Sequence, residues 1–106
     1  MPKYLVRANY TAEGAEGLLA EGGTGRRAAV ERVVTSFGGR LETMYFAFGE
    51  HDLYCVIELP DHEAMAAVAM TVRASGALSS TVAVLLTPEE VDAAAGRPVD
   101  FRRPGA

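Results

Sequence analysis

His51 is the side chain in this sequence best suited to acid–base chemistry, because an imidazole changes charge near neutral pH. It stands between Glu50 and Asp52 in the segment Phe48-Gly49-Glu50-His51-Asp52-Leu53-Tyr54. In that setting it could accept a proton or ligate a haem or metal ion. Neighbouring residues of a strand point to opposite faces, so the three do not form a ready dyad. A solvent-exposed turn histidine is the simpler interpretation, and Asp52 either contacts a ligand or accepts backbone hydrogen bonds in the turn.

Four further polar side chains are candidates for ligand binding: Arg7, Asn9, Tyr45 and Tyr54. An arginine binds carboxylates or phosphates, and a phenol donates to a carbonyl. The alternative is a protein–protein interface, where tyrosine and arginine are enriched. We expect Glu58 to neutralise Arg7. In an enzyme, His51 would accept the proton while Tyr45, Asn9 and Arg7 orient the substrate.

The remaining chemical signals favour structural roles. The lone cysteine, Cys55, lies in a predicted strand and is expected to be a buried thiol. The glycine-rich segment 22–27 matches neither the P-loop nor the dinucleotide-binding fingerprint, and is predicted to join two helices. His62 is expected at the surface. No nucleophile–base pair, metal cluster or phosphate loop stands out, so the sequence indicates no metal and no cofactor.

The bulk composition is typical of one folded domain. The chain has 106 residues, 49% of them hydrophobic, and a formal net charge of -4. An acidic surface argues against nucleic-acid and anionic-membrane partners, which require a basic face. One cysteine excludes an intramolecular disulfide, the start of the chain does not resemble a signal peptide, and no apolar run has the length of a membrane span. We therefore expect a cytoplasmic setting.

The hydrophobic periodicity predicts an α+β fold in the order βαββαβ. The predicted strands are Lys3–Tyr10, Arg40–Phe48, Asp52–Leu59 and Leu78–Thr87, and the predicted helices are Ala12–Glu21, Arg26–Phe37, 62–75 and 88–95. This order is the ferredoxin-like pattern, with a four-stranded antiparallel sheet and helices on one face. We expect a domain over residues 1–95 and an extended C-terminal tail over 96–106.

The sheet face without helices is called the open face here. Leu53, Cys55 and Ile57 should face the helices, which places Tyr54, Val56 and Glu58 on the open face. A two-residue hairpin loop at Glu50-His51 would place Met44, Phe46 and Phe48 in the core and Thr43 and Tyr45 on the open face, and a three-residue loop would reverse this. We prefer the two-residue loop. Because the open face is half apolar, it predicts a homodimer, a dimeric α+β barrel, whose interior could hold a ligand.

Several segments resemble the GYD domain family. They are Tyr4 to Thr11, residues 22–27, Phe37-Gly38-Gly39, residues 48–53, residues 86–90 and the tail 101–106. Gly49 and Asp52 match the Gly, Tyr, Asp signature, His51 stands at the tyrosine position, and Arg103 replaces a proline of the tail. The resemblance implies a ferredoxin-like subunit related to dimeric α+β barrels, and no defined reaction.

Three functions therefore stay open. The leading one is a homo-oligomer whose barrel or sub-helical cavity binds a small organic molecule. The second is a cofactor-independent enzyme resembling dimeric-barrel monooxygenases or isomerases. The third is a structural assembly subunit, for which we expect a packed interface with no cavity.

Overall fold

The chain folds into one antiparallel sheet covered by helices on one face. The computed structural model describes residues 1–106. Its elements are β1 (Lys3–Tyr10), α1 (Ala12–Ser36), β2 (Arg40–Phe46), β3 (Leu53–Glu58), α2 (His62–Ala74), β4 (Leu78–Leu85) and α3 (Pro88–Ala95). The strand order is β2-β3-β1-β4, and every neighbouring pair is antiparallel. The predicted ferredoxin-like α+β fold is confirmed.

Side chains at the helix starts explain where the helices begin. The Thr11 hydroxyl accepts from the Gly14 amide at 3.1 Å, and the Asp61 carboxylate accepts from the Ala64 amide at 2.8 Å. Thr87 and Glu90 form a reciprocal capping box at α3. Such caps satisfy amide groups that the first helical turn leaves without partners.

α1 consists of two helical halves joined at a glycine, as the sequence predicted. Gly22 has φ 79° and ψ 166°, a conformation that a residue with a side chain rarely adopts. The first half is held at its start by the turn before β4, because the Thr11 hydroxyl donates to the Gly76 carbonyl at 2.8 Å. Gly14 also approaches this turn so closely that an added Cβ would lie 2.0 Å from the Ala77 carbonyl oxygen. The second half covers the sheet.

The core lies between the helices and the sheet. Its buried members are Tyr4, Val34, Cys55, Ile57, Leu59, Ala64 and Met65. Leu59 is 0% exposed, although it follows the last residue of β3. These residues come from β1, β3, α1 and α2, so burial of this apolar surface fixes the helices on one face of the sheet.

The β2–β3 hairpin differs from the predicted two-residue loop. β2 ends at Phe46 and β3 begins at Leu53, so residues 47–52 form the connection. Phe46 pairs with Leu53 and Met44 with Cys55, which keeps both on the helix-covered face as expected. Phe48, predicted to lie in the core, is instead 63% exposed with φ 55°. The wider connection places Phe48 beyond the last strand pair, where its ring stacks on that of Phe46 with the centroids 6.0 Å apart.

The protein exposes more surface than its mass requires. Its accessible surface is 7268 Å², whereas a folded monomer of 11.2 kDa exposes roughly 5,700 Å². The radius of gyration is 16.9 Å, against roughly 13 Å for a compact domain of this length. Part of the excess lies in residues 86–106, called the C-terminal arm here, in which every residue from 88 onward is exposed. No helix of the protein has both the length and the apolar character needed to cross a membrane.

Candidate functional site

Strand register brings the predicted site residues together at one end of the open face. Arg7 of β1 lies opposite Tyr54 of β3, and Tyr54 lies opposite Tyr45 of β2. Asn9 follows on the same face of β1, one step closer to the hairpin. The sheet thus brings together polar side chains from three strands. They lie beside the apolar residues Leu5 and Val56, which are also paired across strands.

His51 lies at the edge of this group and contacts two of its members. The Asn9 amide nitrogen Nδ2 is 3.3 Å from His51 Nδ1, and the His51 and Tyr54 rings meet edge to face at 5.7 Å. Only 19% of the His51 side chain is exposed, so it is not the solvent-exposed turn histidine of the simpler interpretation. Because an amide nitrogen only donates, Nδ1 accepts and the neutral ring carries its proton on Nε2.

Asp52 holds the hairpin against β1. Its Oδ2 accepts a hydrogen bond from the Tyr10 amide at 2.8 Å. Its own amide lies within hydrogen-bond distance of both the Ala8 carbonyl, at 3.0 Å, and Asn9 Oδ1, at 3.1 Å. The carboxylate is therefore bonded to the main chain of β1, as in the structural interpretation of this residue. Asn9 links the hairpin to β1 through both side-chain atoms of its amide, since Nδ2 contacts His51 and Oδ1 contacts the Asp52 amide.

Arg7 has no carboxylate partner, which differs from the expectation that Glu58 would neutralise it. Glu58 instead pairs with Lys3 at 2.7 Å and with Arg40 at 3.3 Å. Hydrogen bonds from these two cations lower the pKa of Glu58 to about 2. Arg7 Nε is buried and has no hydrogen-bond partner in the protein. Lys3 also pairs with Glu42 at 2.6 Å, so the open face carries a neutralised ion network at one end and an arginine without a carboxylate partner near the other.

Two residues outside the open face have local structural roles. Burial raises the pKa of the Cys55 thiol to about 11, so the thiolate is not populated at neutral pH and the residue is the buried thiol that was predicted. His62 is exposed but its Nδ1 lies 2.6 Å from the hydroxyl of the buried Tyr4. This bond was not predictable from the sequence, since its two partners are far apart in the chain.

The chemistry available to the open-face group is recognition of a polar small molecule. It offers a guanidinium, two phenols, an amide and an imidazole, whereas no three histidine, cysteine, aspartate or glutamate side chains converge to hold a metal ion. Tyr45 is 72% exposed on the edge strand, so its hydroxyl is free to reach a ligand or a second molecule.

Comparison with known proteins identifies the family. The family model of the GYD domain matches residues 4–95 of the 106-residue chain. This match covers all strands and helices except Lys3, the first residue of β1, and the chain belongs to the GYD domain family. No curated protein matches the chain.

Proposed function

We propose that this GYD-domain protein is a homodimer in which two open faces enclose a small organic molecule. The observation that carries the proposal is the open face itself, where Arg7 Nε is buried without a hydrogen-bond partner in the protein. A buried donor left without an acceptor costs about 1–3 kcal/mol. A ligand oxygen supplied to Arg7 would recover that free energy.

The apolar part of the open face supports the dimer. Leu5, Val56, Ala83 and Leu85 lie side by side on three strands and are only partly buried. A monomeric soluble protein rarely leaves a continuous apolar patch of this kind in water. A second copy of the same face would cover it with matching residues across a two-fold axis.

The surplus surface and the C-terminal arm support the same conclusion. Leu86, Val91, Val99 and Phe101 of the arm are all more than half exposed. Large apolar side chains on a segment that does not pack on its own domain are characteristic of a segment that packs on a neighbouring subunit. In a dimer the arm would dock on the partner and cover its exposed apolar residues.

Native mass spectrometry, repeated under denaturing conditions, tests both parts of the proposal. We expect a dimer carrying extra mass that is lost on denaturation. Val56→Glu places an unpaired charge in the centre of the open face and should yield a monomer at micromolar concentrations. Leu19→Glu is the control, since Leu19 is 87% exposed on α1, away from the sheet, and should stay dimeric.

The outcomes separate the three functions. A wild-type monomer would overturn the dimer. A dimer without extra mass, which also fails to bind any compound of a ligand panel, would indicate an assembly subunit. Extra mass that persists in Arg7→Gln at wild-type occupancy would show that the ligand lies elsewhere than at the open face.

An enzyme built on His51 is the second candidate function. It is favoured by the partial burial of His51 beside Tyr54 and Asn9, where a substrate in the barrel would meet it. Its basic lone pair at Nδ1 is engaged by Asn9, so proton abstraction would require that bond to break. If the dimer turns over a compound from the panel, His51→Ala should abolish turnover, while Leu19→Glu on the exposed surface of α1 should leave it unchanged.

A further inference from the structure

A cavity of ≈ 90 Å³ lies on the other side of the sheet, between β1, β3 and β4 and the helices α1 and α2. Thirteen of its 15 lining residues are hydrophobic, among them Val6, Cys55, Val30, Val34, Val68 and Ala69. A space this apolar holds water poorly, whereas an apolar cavity of about 150 Å³ binds benzene. The cavity is therefore suited to a hydrocarbon group.

One charged side chain reaches this cavity. Arg26, from the second half of α1, lines it, and Arg26 Nε is buried without a hydrogen-bond partner in the protein. Its Nη1 lies 3.6 Å from Glu21 Oε1, on the other side of the Gly22 joint. The edge of the guanidinium formed by Nε and Nη2 thus stays available, and this edge binds a carboxylate through two parallel hydrogen bonds.

A second polar group lies near Arg26. The Tyr10 hydroxyl is buried and also has no hydrogen-bond partner in the protein. Burial raises the pKa of Tyr10, and the charges of Arg26, Glu21 and Asp52 all act on it. The phenol is therefore protonated at neutral pH and able to donate a hydrogen bond, although Tyr10 is not one of the residues that line the cavity.

We infer that the cavity between the sheet and the helices is a second ligand site, which binds a small monocarboxylic acid. The carboxylate pairs with Arg26 and accepts from Tyr10, and the hydrocarbon body lies among the apolar lining residues. Glu21 already offsets part of the Arg26 charge, so a single negative charge suits the site better than a dianion such as phosphate. The site lies within one protomer and does not depend on the proposed dimer.

The groove between the two helices gives a route to the cavity. A second, more open space of ≈ 170 Å³ lies there, lined by Val33, Phe37, Val68 and Val72 together with Ala67 and Thr71. Val33, Val68 and Val72 also line the cavity, so the two spaces adjoin. At ≈ 90 Å³ the cavity is smaller than the space of about 150 Å³ that holds benzene, so the hydrocarbon body of the acid would occupy the cavity and part of the adjoining groove.

Titration of the ¹⁵N-labelled protein, followed by two-dimensional NMR, tests the site. The probes are benzoate and hexanoate, each compared with its neutral counterpart, benzyl alcohol or hexanol. We expect saturable binding of the acids, with shifts at residues lining the cavity. The alcohols cannot form the charge-assisted bond, so they should bind the wild type about 10- to 100-fold more weakly than the acids do. The acids should bind Arg26→Gln more weakly than the wild type by about the same factor.

Arg27→Gln is the matched control, because Arg27 is adjacent to Arg26 but is exposed and pairs with Glu31 at 3.8 Å. It should bind the acids as the wild type does. Ala69→Leu, which fills the cavity, should abolish binding without lowering the thermal midpoint. Tyr10→Phe should weaken binding less than Arg26→Gln.

Cys55 supplies an independent readout, because it lines the cavity and is the only thiol of the chain. In alkaline buffer, where more of the Cys55 thiolate forms, saturating benzoate should slow its modification by a methanethiosulfonate reagent in the wild type and not in Arg26→Gln. Equal affinity of wild type and Arg26→Gln, or an absence of saturable binding, would overturn the inference. Loss of binding in Arg7→Gln with Arg26→Gln unaffected would assign the acid to the open face instead.

Discussion

The two faces of the sheet use polar side chains in opposite ways. On the helix-covered face, burial is nearly all apolar: the hydroxyl of the buried Tyr4 is bonded to His62, whereas the Tyr10 hydroxyl and Arg26 Nε are buried without hydrogen-bond partners. On the open face, polar side chains are many and most are paired, as in the network of Lys3, Glu58 and Arg40. Only Arg7 there has a buried donor without a partner.

This difference separates stability from recognition. The free energy of folding comes mainly from the covered face, since apolar burial is the dominant favourable contribution. The open face contributes ion pairs that are accessible to water and therefore weakly stabilising. The unpartnered donors on each face are the groups whose bonding a ligand would complete. We therefore expect substitutions on the two faces to differ in their effects on the free energy of unfolding and on ligand binding.

The largest expected difference is between Ile57 and Val56, neighbours on β3 that point to opposite faces. Ile57 is 3% exposed in the core, and Ile57→Ala should lower the free energy of unfolding by about 2–5 kcal/mol, because it leaves a cavity. Val56→Ala should cost less than half as much at low protein concentration. Urea denaturation measures both. Equal losses for the two variants would show that the open face is as tightly packed as the core.

A smaller loss is expected at the hairpin that joins the two faces. Asp52→Ala removes the acceptor of the Tyr10 amide and should lower the free energy of unfolding by about 1–3 kcal/mol. Glu50→Ala, in the same connection but with a side chain 90% exposed, should change it by less than about 0.5 kcal/mol. Thermal and urea denaturation of both variants check this. A neutral Asp52→Ala variant would contradict the anchoring role of the carboxylate.

The smallest effect should appear at the ion network and should depend on pH. The folded-state pKa of Glu58, about 2, lies below its ordinary value of 4.5, so its contribution to stability is complete above pH 4.5 and is lost as the pH falls towards 2. The difference in free energy of unfolding between wild type and Glu58→Gln should shrink over that range. Denaturation at a series of pH values measures it, and a difference independent of pH would contradict the network.

Periodicity in the sequence was sufficient to predict the fold. Alternation in β3 gave the correct assignment of Cys55 and Ile57 to the core, and helical spacing placed Met65 and Val68 against the sheet. The predicted hairpin loop was wrong because a two-residue loop and the observed connection over residues 47–52 both leave Met44 and Phe46 on the helix-covered face, so the apolar pattern does not determine where the pairing stops. Of the three apolar residues Met44, Phe46 and Phe48, only Phe48 changed its position with the length of the connection.

The candidate site was only partly predictable from sequence. Strand alternation brought Arg7, Asn9, Tyr45 and Tyr54 to one face. The partners of individual groups were not predictable, because they depend on cross-strand geometry: Glu58 pairs with Lys3 and Arg40 rather than Arg7. A cavity below the helices was one of the expectations, but the contribution of Arg26 was not predicted, since the glycine-rich segment indicated only a joint between two helices.

The bend of α1 at Gly22 divides the helix into two parts that differ in how strongly they are coupled to the unfolding of the whole domain. The first part is almost entirely exposed and is held by the contacts of Thr11 and Gly14, whereas the second shares the core through Val34. Short helical segments with little buried surface open locally without unfolding the whole domain. Glu21 and Arg26 lie on the two sides of the bend, so fraying of the first part would separate the Arg26 guanidinium from its internal counter-ion.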